Sequence, residues 1–199
     1  MSFAQVIAAA TARDGGLVAT VPAEWHQGRT AYGGFSSALA LQAALRAADD
    51  LPPLRSAQLS MVAPVAGEVE ASARIVRRGR NATWVTAQIT GDAGVCFLAS
   101  FVFMGPVDSS LHLNDLPLPP GVIAPADAIA FHPAVPAFLK EQFEVRFALP
   151  RPAAKQPQIC WWVRLRNRAG LDPMTELLLV GDALPPGVMP LLNPATNAS

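Results

Sequence analysis

Between Phe35 and Ala48 the chain reads FSSALALQAALRAA. These are residues of high helix propensity, and alanine, leucine and serine occupy every side of the helix they predict. A helix on the surface of a globular protein keeps one polar face, whereas one that is apolar all round has to be enclosed. Its small side chains let the enclosing backbone come close. Pro52-Pro53 ends the helix. Any fold for this chain must supply a shell around that segment.

The material for a shell follows directly. Ala57, Leu59, Met61 and Ala63 alternate with Gln58 and Ser60, and Val69, Ala71, Ala73 and Ile75 alternate with Glu68, Glu70, Ser72 and Arg74. Val85, Ala87 and Ile89 alternate with Trp84, Thr86 and Gln88, with Gly79 and Gly91 in the turns between. A period of two marks half-buried strands. Val95 to Phe103 is apolar at nearly every position, which predicts a strand covered on both faces or placed at an interface. One buried helix followed by an antiparallel meander is the outline of a hotdog fold, an α+β architecture in which the sheet wraps the helix. The pattern by itself also allows other α+β folds.

From Gly105 to Pro136 the prolines at 106, 117, 119, 120, 125, 133 and 136 exclude regular strands. A connector of that length suggests a crossover between two repeats. Strand patterns resume at Phe143 to Phe147 and Ile159 to Leu165. Asp172-Pro173, an N-cap followed by proline at the first helical position, then opens a second helix predicted over Met174 to Leu184. The division expected is a first hotdog repeat over 1–104, a connector over 105–140 and the start of a second repeat over 141–199. That second repeat has a helix but no meander to wrap it, so a tandem double hotdog with an incomplete second half is predicted. Its strands would have open edges, which invites either further chain or association into a homodimer.

Composition narrows the function classes. Fifteen basic and fifteen acidic residues give a net charge of zero, so no general attraction to nucleic acid or anionic lipid is expected. No apolar run reaches the ~18–20 residues of a membrane span, although the mean hydropathy is +0.29. The N-terminal MSFAQVIAAATARD lacks a basic start and reads as a short amphipathic helix rather than a signal peptide. Cys96 and Cys160 are far apart and outside any CxxC pattern, which fits buried thiols in a reducing, cytoplasmic setting. His26, His112 and His132 have no metal-ligand spacing, so neither a metal nor a cofactor is expected.

Three segments together resemble the acyl-CoA thioesterase II (TesB-like) family. They are Gly28-Arg29-Thr30-Ala31-Tyr32-Gly33-Gly34 before the first helix, Phe143-Glu144-Val145-Arg146 with Trp161-Trp162-Val163-Arg164, and Leu177-Leu178-Leu179-Val180-Gly181-Asp182 in the second helix. The resemblance covers about Gly16 to Leu192. It implies a double hotdog, an acyl-CoA substrate, and an aspartate in the second helix that activates water together with a threonine and a glutamine. Asp182 falls on the aspartate position. The threonine position falls near Thr196 or Asn197, and the glutamine has no counterpart.

The residues themselves leave alternatives. A carboxylate beside Leu179, Val180 and Leu184 is costly unless hydrogen-bonded, so Asp182 is either a base for hydrolysis or a structural cap at a helix end. Gly33 and Gly34 could turn backbone N–H groups toward a thioester oxygen or form an ordinary entry turn. Arg77 and Arg80 in the Arg77-Arg78-Gly79-Arg80 turn could hold CoA phosphates or be a solvated charged turn. Ser36 lacks the context of a nucleophile elbow, and His26 has no evident acid partner for a hydratase. Phe97, Phe101 and Phe103 read as core. The expected function is hydrolysis of a fatty acyl-CoA to acid and CoA; the alternative is a non-catalytic acyl-CoA or lipid-binding hotdog.

Overall fold

The computed structural model describes residues 1–113, 115–130, 136–150 and 154–192. Ser2 and Gln5 form a reciprocal capping box that starts α1 (Phe3–Ala9), which buries Phe3 and Val6. A hairpin of β1 (Thr11–Arg13) and β2 (Gly16–Thr20) follows, then a 3-10 turn at Ala23–Trp25 and a short ribbon of β3 (His26–Gln27) with β4 (Thr30–Ala31).

The predicted buried helix is α2, Gly33–Leu45. It starts two residues earlier than its composition predicts, because Tyr32 takes the extended N-cap conformation and both glycines enter the first turn. It ends at Arg46, where the backbone bonds tighten onto Ala43 and Ala44, well before the prolines. Phe35, Leu39 and Leu41 are fully buried; each is worth roughly 1.5–3 kcal/mol on transfer from water.

Four long strands supply the shell: β5 (Leu54–Met61), β6 (Glu68–Arg78), β7 (Ala82–Gly91) and β8 (Gly94–Met104). With β1 and β2 they form one antiparallel six-stranded sheet in the order β1-β2-β6-β7-β8-β5. Val69, Ala71, Val85, Ala87, Ile89, Phe97, Phe101 and Phe103 point at α2, so the period-two pattern sets the register. Of the two alternatives expected for 95–103, cover of both faces by the chain itself is not what the described residues show, which leaves placement at an interface. Leu98 is 44% exposed and Ser100 half-buried, because the side of β8 away from α2 is the outer surface of the sheet and none of the described residues covers it.

From Gly105 to Ala130 the described chain holds only a single bridge, Ala130 to Arg146, as the prolines require. A short helix that the proline pattern hides, α3 (Ala137–Gln142), then leads into β9 (Phe143–Phe147), which pairs antiparallel with β10 (Trp161–Leu165). Glu144 accepts from Arg146 along β9 and from Arg164 across the pair. Those two guanidinium groups, Arg146 first, hold its carboxyl below the usual carboxylate range. The last helix is α4 (Pro173–Gly181), capped by Asp172 and with proline at its start as the sequence predicts. It is shorter than Met174–Leu184: Asp182 is its C-cap, so the residue sits at the helix end rather than inside it. Asp182 and Ala183 leave the helical path, and Pro185-Pro186 follows.

Helix α4 lies along the flank of α2 that the sheet leaves open, so α2 is closed between sheet and helix as a hotdog requires. The two run antiparallel: the start of α2 meets Leu179 and Asp182, while Gln42 farther along meets Thr175. No helix among the described residues is long and apolar enough to cross a membrane.

Candidate functional site

The first turn of any helix leaves backbone N–H groups without intrahelical partners, and α2 has no side-chain cap of its own, since Tyr32 holds the N-cap position without capping it. Asp182 supplies the missing partner from the far end of the sequence. Its carboxylate accepts the Gly33 N–H and lies where a Cβ on residue 33 would stand, 2.5 Å from Oδ2. A side chain at 33 would therefore collide with the carboxylate and with the Met61 methyl group, which is why glycine is needed there. At Gly34 the constraint is backbone: a Cβ would stand 2.6 Å from the Leu179 carbonyl oxygen.

The Asp182 residue is exposed along one side, while the other side of its carboxylate packs into the seam between α2 and α4. That burial raises its pKa above the ordinary carboxylate value, and the Gly33 N–H opposes the rise without cancelling it. Beside it Tyr32, fully buried, donates its hydroxyl to the Leu179 carbonyl at 2.9 Å. Burial and then the Asp182 charge push the phenol pKa far up, so the group stays a neutral donor. Its ring stacks on Phe138 at 4.6 Å and meets Phe143 edge-on. Composition could not single out Tyr32, whose role depends on a partner 147 residues away.

At the other end of the same helix pair lies a second polar chain. Gln42 donates to Thr175 Oγ1 at 2.9 Å, and that hydroxyl donates to Asp172 Oδ2. Asp172 Oδ1 also accepts the Met174 and Thr175 N–H groups at 3.0 Å each. This is an aspartate, threonine and glutamine in one chain, but the threonine is fully buried and the carboxylate already accepts three donors.

The structure brings Asp182, Gly33 and Gly34 together. Arg77 and Arg80 stand elsewhere: Arg78 of the same turn bonds Asp50, beyond the C-terminal end of α2, so the turn lies a helix length from Gly33, about 18 Å at 1.5 Å per residue. Thr196 and Asn197 lie outside the described residues. Ser36 is buried inside α2. The Nε2 of His26 is buried with no hydrogen-bond partner among the described residues, and Phe97, Phe101 and Phe103 are core. Among the described residues no cluster of His, Cys, Asp or Glu could hold a metal ion.

Residues 21–104 match the family model of the acyl-CoA thioesterase N-terminal domain. No curated protein matches the chain in sequence. Among solved structures, a conserved hotdog-fold protein of unknown function from Alicyclobacillus acidocaldarius superposes with a TM-score of 0.80 at 23% identity, covering 94% of this chain and 70% of that one. A protein assigned as a thioesterase II from Thermobifida fusca gives 0.77 at 20% identity, over 96% and 74% of the two chains. Acyl-CoA thioesterase II TesB2 from Mycobacterium marinum gives 0.65 at 17%, over 89% and 67%. At these identities the superpositions establish the hotdog fold. Over residues 21–104 the chain is also similar in sequence to the acyl-CoA thioesterase N-terminal domain.

Proposed function

We propose that this protein hydrolyses acyl-CoA thioesters to the free acid and CoA, with Asp182 as the general base. The observation that carries this reading is a carboxylate held at the first turn of α2 by one N–H, with no other hydrogen bond among the described residues and its basicity raised by burial. Such a group can take a proton from water as the oxygen attacks the thioester carbonyl. The tetrahedral intermediate then collapses with cleavage of the C–S bond, and the proton passes to the departing CoA sulfur. Because the Gly33 N–H is engaged by Asp182, the developing oxyanion falls to the neighbouring Gly34 N–H, at the positive end of the helix. Thr196 and Asn197 are proposed as further partners of the water.

Arg77 and Arg80 are proposed as contacts for CoA phosphates. They make no ion pair among the described residues, and an extended CoA can bridge the length of α2. Two free thiols, Cys96 and Cys160, fit a reducing compartment such as the cytoplasm. The edge of β5, unpaired among the described residues, fits association of two copies.

The test is hydrolysis of straight-chain acyl-CoA thioesters from acetyl to palmitoyl, followed by loss of thioester absorbance, in the protein and in Asp182→Asn. Turnover that collapses in the variant supports the assignment. Binding of acyl-CoA without turnover in the parent protein would make it a non-catalytic acyl-CoA-binding hotdog instead.

A further inference from the structure

Each of the two residues at the seam serves the other's helix. Tyr32 holds the N-cap position of α2, yet its hydroxyl bonds the Leu179 carbonyl of α4, one of the carbonyls that a helix C-terminus leaves without an intrahelical partner. Asp182 holds the C-cap position of α4, yet its carboxylate accepts the first N–H of α2. The exchange is tight, since Gly34 brings the α4 backbone so close that no Cβ fits between. Leu179 lies three residues before Asp182, so a bond that fixes its carbonyl also fixes where the chain leaves the helix. The Tyr32 ring cannot swing away, because Phe138 and Phe143 clamp it on two sides.

From this exchange we infer that Tyr32 is a positioning residue for the proposed thioester hydrolysis: by holding the end of α4 through Leu179, it sets the Asp182 carboxylate on the Gly33 N–H with its free acceptors toward the incoming water. The inference rests on the assignment of Asp182 as base. The phenol itself does not exchange protons with substrate, since it is buried and kept neutral.

The variant is Tyr32→Phe, which keeps the ring and removes the one hydroxyl. Loss of an oriented hydrogen bond predicts a kcat lower by roughly tenfold, with KM for the same acyl-CoA within about twofold. The acid limb of the kcat profile should move toward the ordinary carboxylate range, because a loosened α4 end lets water into the seam side of the Asp182 carboxylate as well. In the Asp182→Asn background Tyr32→Phe should cost nothing further, whereas a purely structural role would give additive losses. Unchanged kcat and acid limb in a folded Tyr32→Phe protein, or additive losses in the double variant, overturn the inference.

Tyr32 is also the only tyrosine in the chain, so biosynthetic 3-fluorotyrosine labels it alone and needs no substitution. The fluorine resonance should titrate with the midpoint of the acid limb and become flat in Asp182→Asn. A flat resonance in the unsubstituted protein overturns the inference even if Tyr32→Phe fails to fold. The two readings fail differently: undiminished hydrolysis in Asp182→Asn removes the base itself, whereas an inactive Asp182→Asn beside a fully active Tyr32→Phe removes only the positioning role.

Discussion

Two aspartates flank α4 and differ in what remains for them to do. Asp172, at the N-terminus, accepts two backbone N–H groups and a threonine hydroxyl, and Gln42 completes the chain from α2. Asp182, at the C-terminus, has one N–H and a pKa raised by burial. Both ends therefore carry an aspartate that touches the facing helix, directly or through one side chain. Their chemistry separates because one carboxylate accepts three donors and the other, among the described residues, accepts one. A satisfied acceptor stabilises a fold; an unsatisfied one, made more basic by its surroundings, is available to a reaction.

The sharpest way to break this contrast is Asp182→Asn. An amide oxygen can still accept the Gly33 N–H but cannot act as base, so acyl-CoA hydrolysis should fall by roughly 10²–10⁴-fold. The stability effect should have the opposite sign. The fold raises the pKa of Asp182 above its unfolded value, so the stability this group contributes is present below the unfolded pKa and is lost as pH rises through the folded one. At neutral pH the ionised form is a cost. The Asn variant should melt at or above the parent temperature near neutrality, and the difference should close on acidification. Activity of the parent should rise with pH through a limb above the ordinary carboxylate range. A variant that is both inactive and clearly less stable would mean that Asp182 is only a cap.

Gly34→Ala should be next in size. Its Cβ would meet the Leu179 carbonyl and the Tyr32 ring, so α4 must move off α2 at a cost of about 1–3 kcal/mol, with hydrolysis falling alongside thermal stability. A neutral result would show that the seam yields easily. The smallest effect belongs to Asp172→Ala, which removes an N-cap. Thermal or denaturant melts should show a loss of about 1 kcal/mol, with kcat within a fewfold of the parent. A large loss of kcat in a stable Asp172→Ala protein would place the chemistry at the wrong end of α4.

How much of this the sequence carries depends on the reach of each interaction. Val85, Ala87 and Ile89 declare their face because alternation within one strand is a local property, and Asp172-Pro173 marks a helix start for the same reason. Asp182 is legible as an isolated carboxylate among leucines, but composition cannot say that it caps another helix. Tyr32 and Gln42 are silent until α4 is laid against α2, since each acts through a partner more than a hundred residues away. Leu98 misleads in the other direction: an apolar residue in a strongly apolar strand reads as buried, yet it faces outward on the uncovered side of the sheet.

The seam between α2 and α4 also sets a schedule for the growing chain. Helix α2 is complete at Leu45, and the sheet can close over one of its sides once β8 ends at Met104, but the other side waits for α4 to end at Gly181. At synthesis rates of about 5–20 residues per second, that interval is on the order of 10 s. Throughout it the backbone at Gly34, against which the Leu179 carbonyl will pack, has no native cover on that flank.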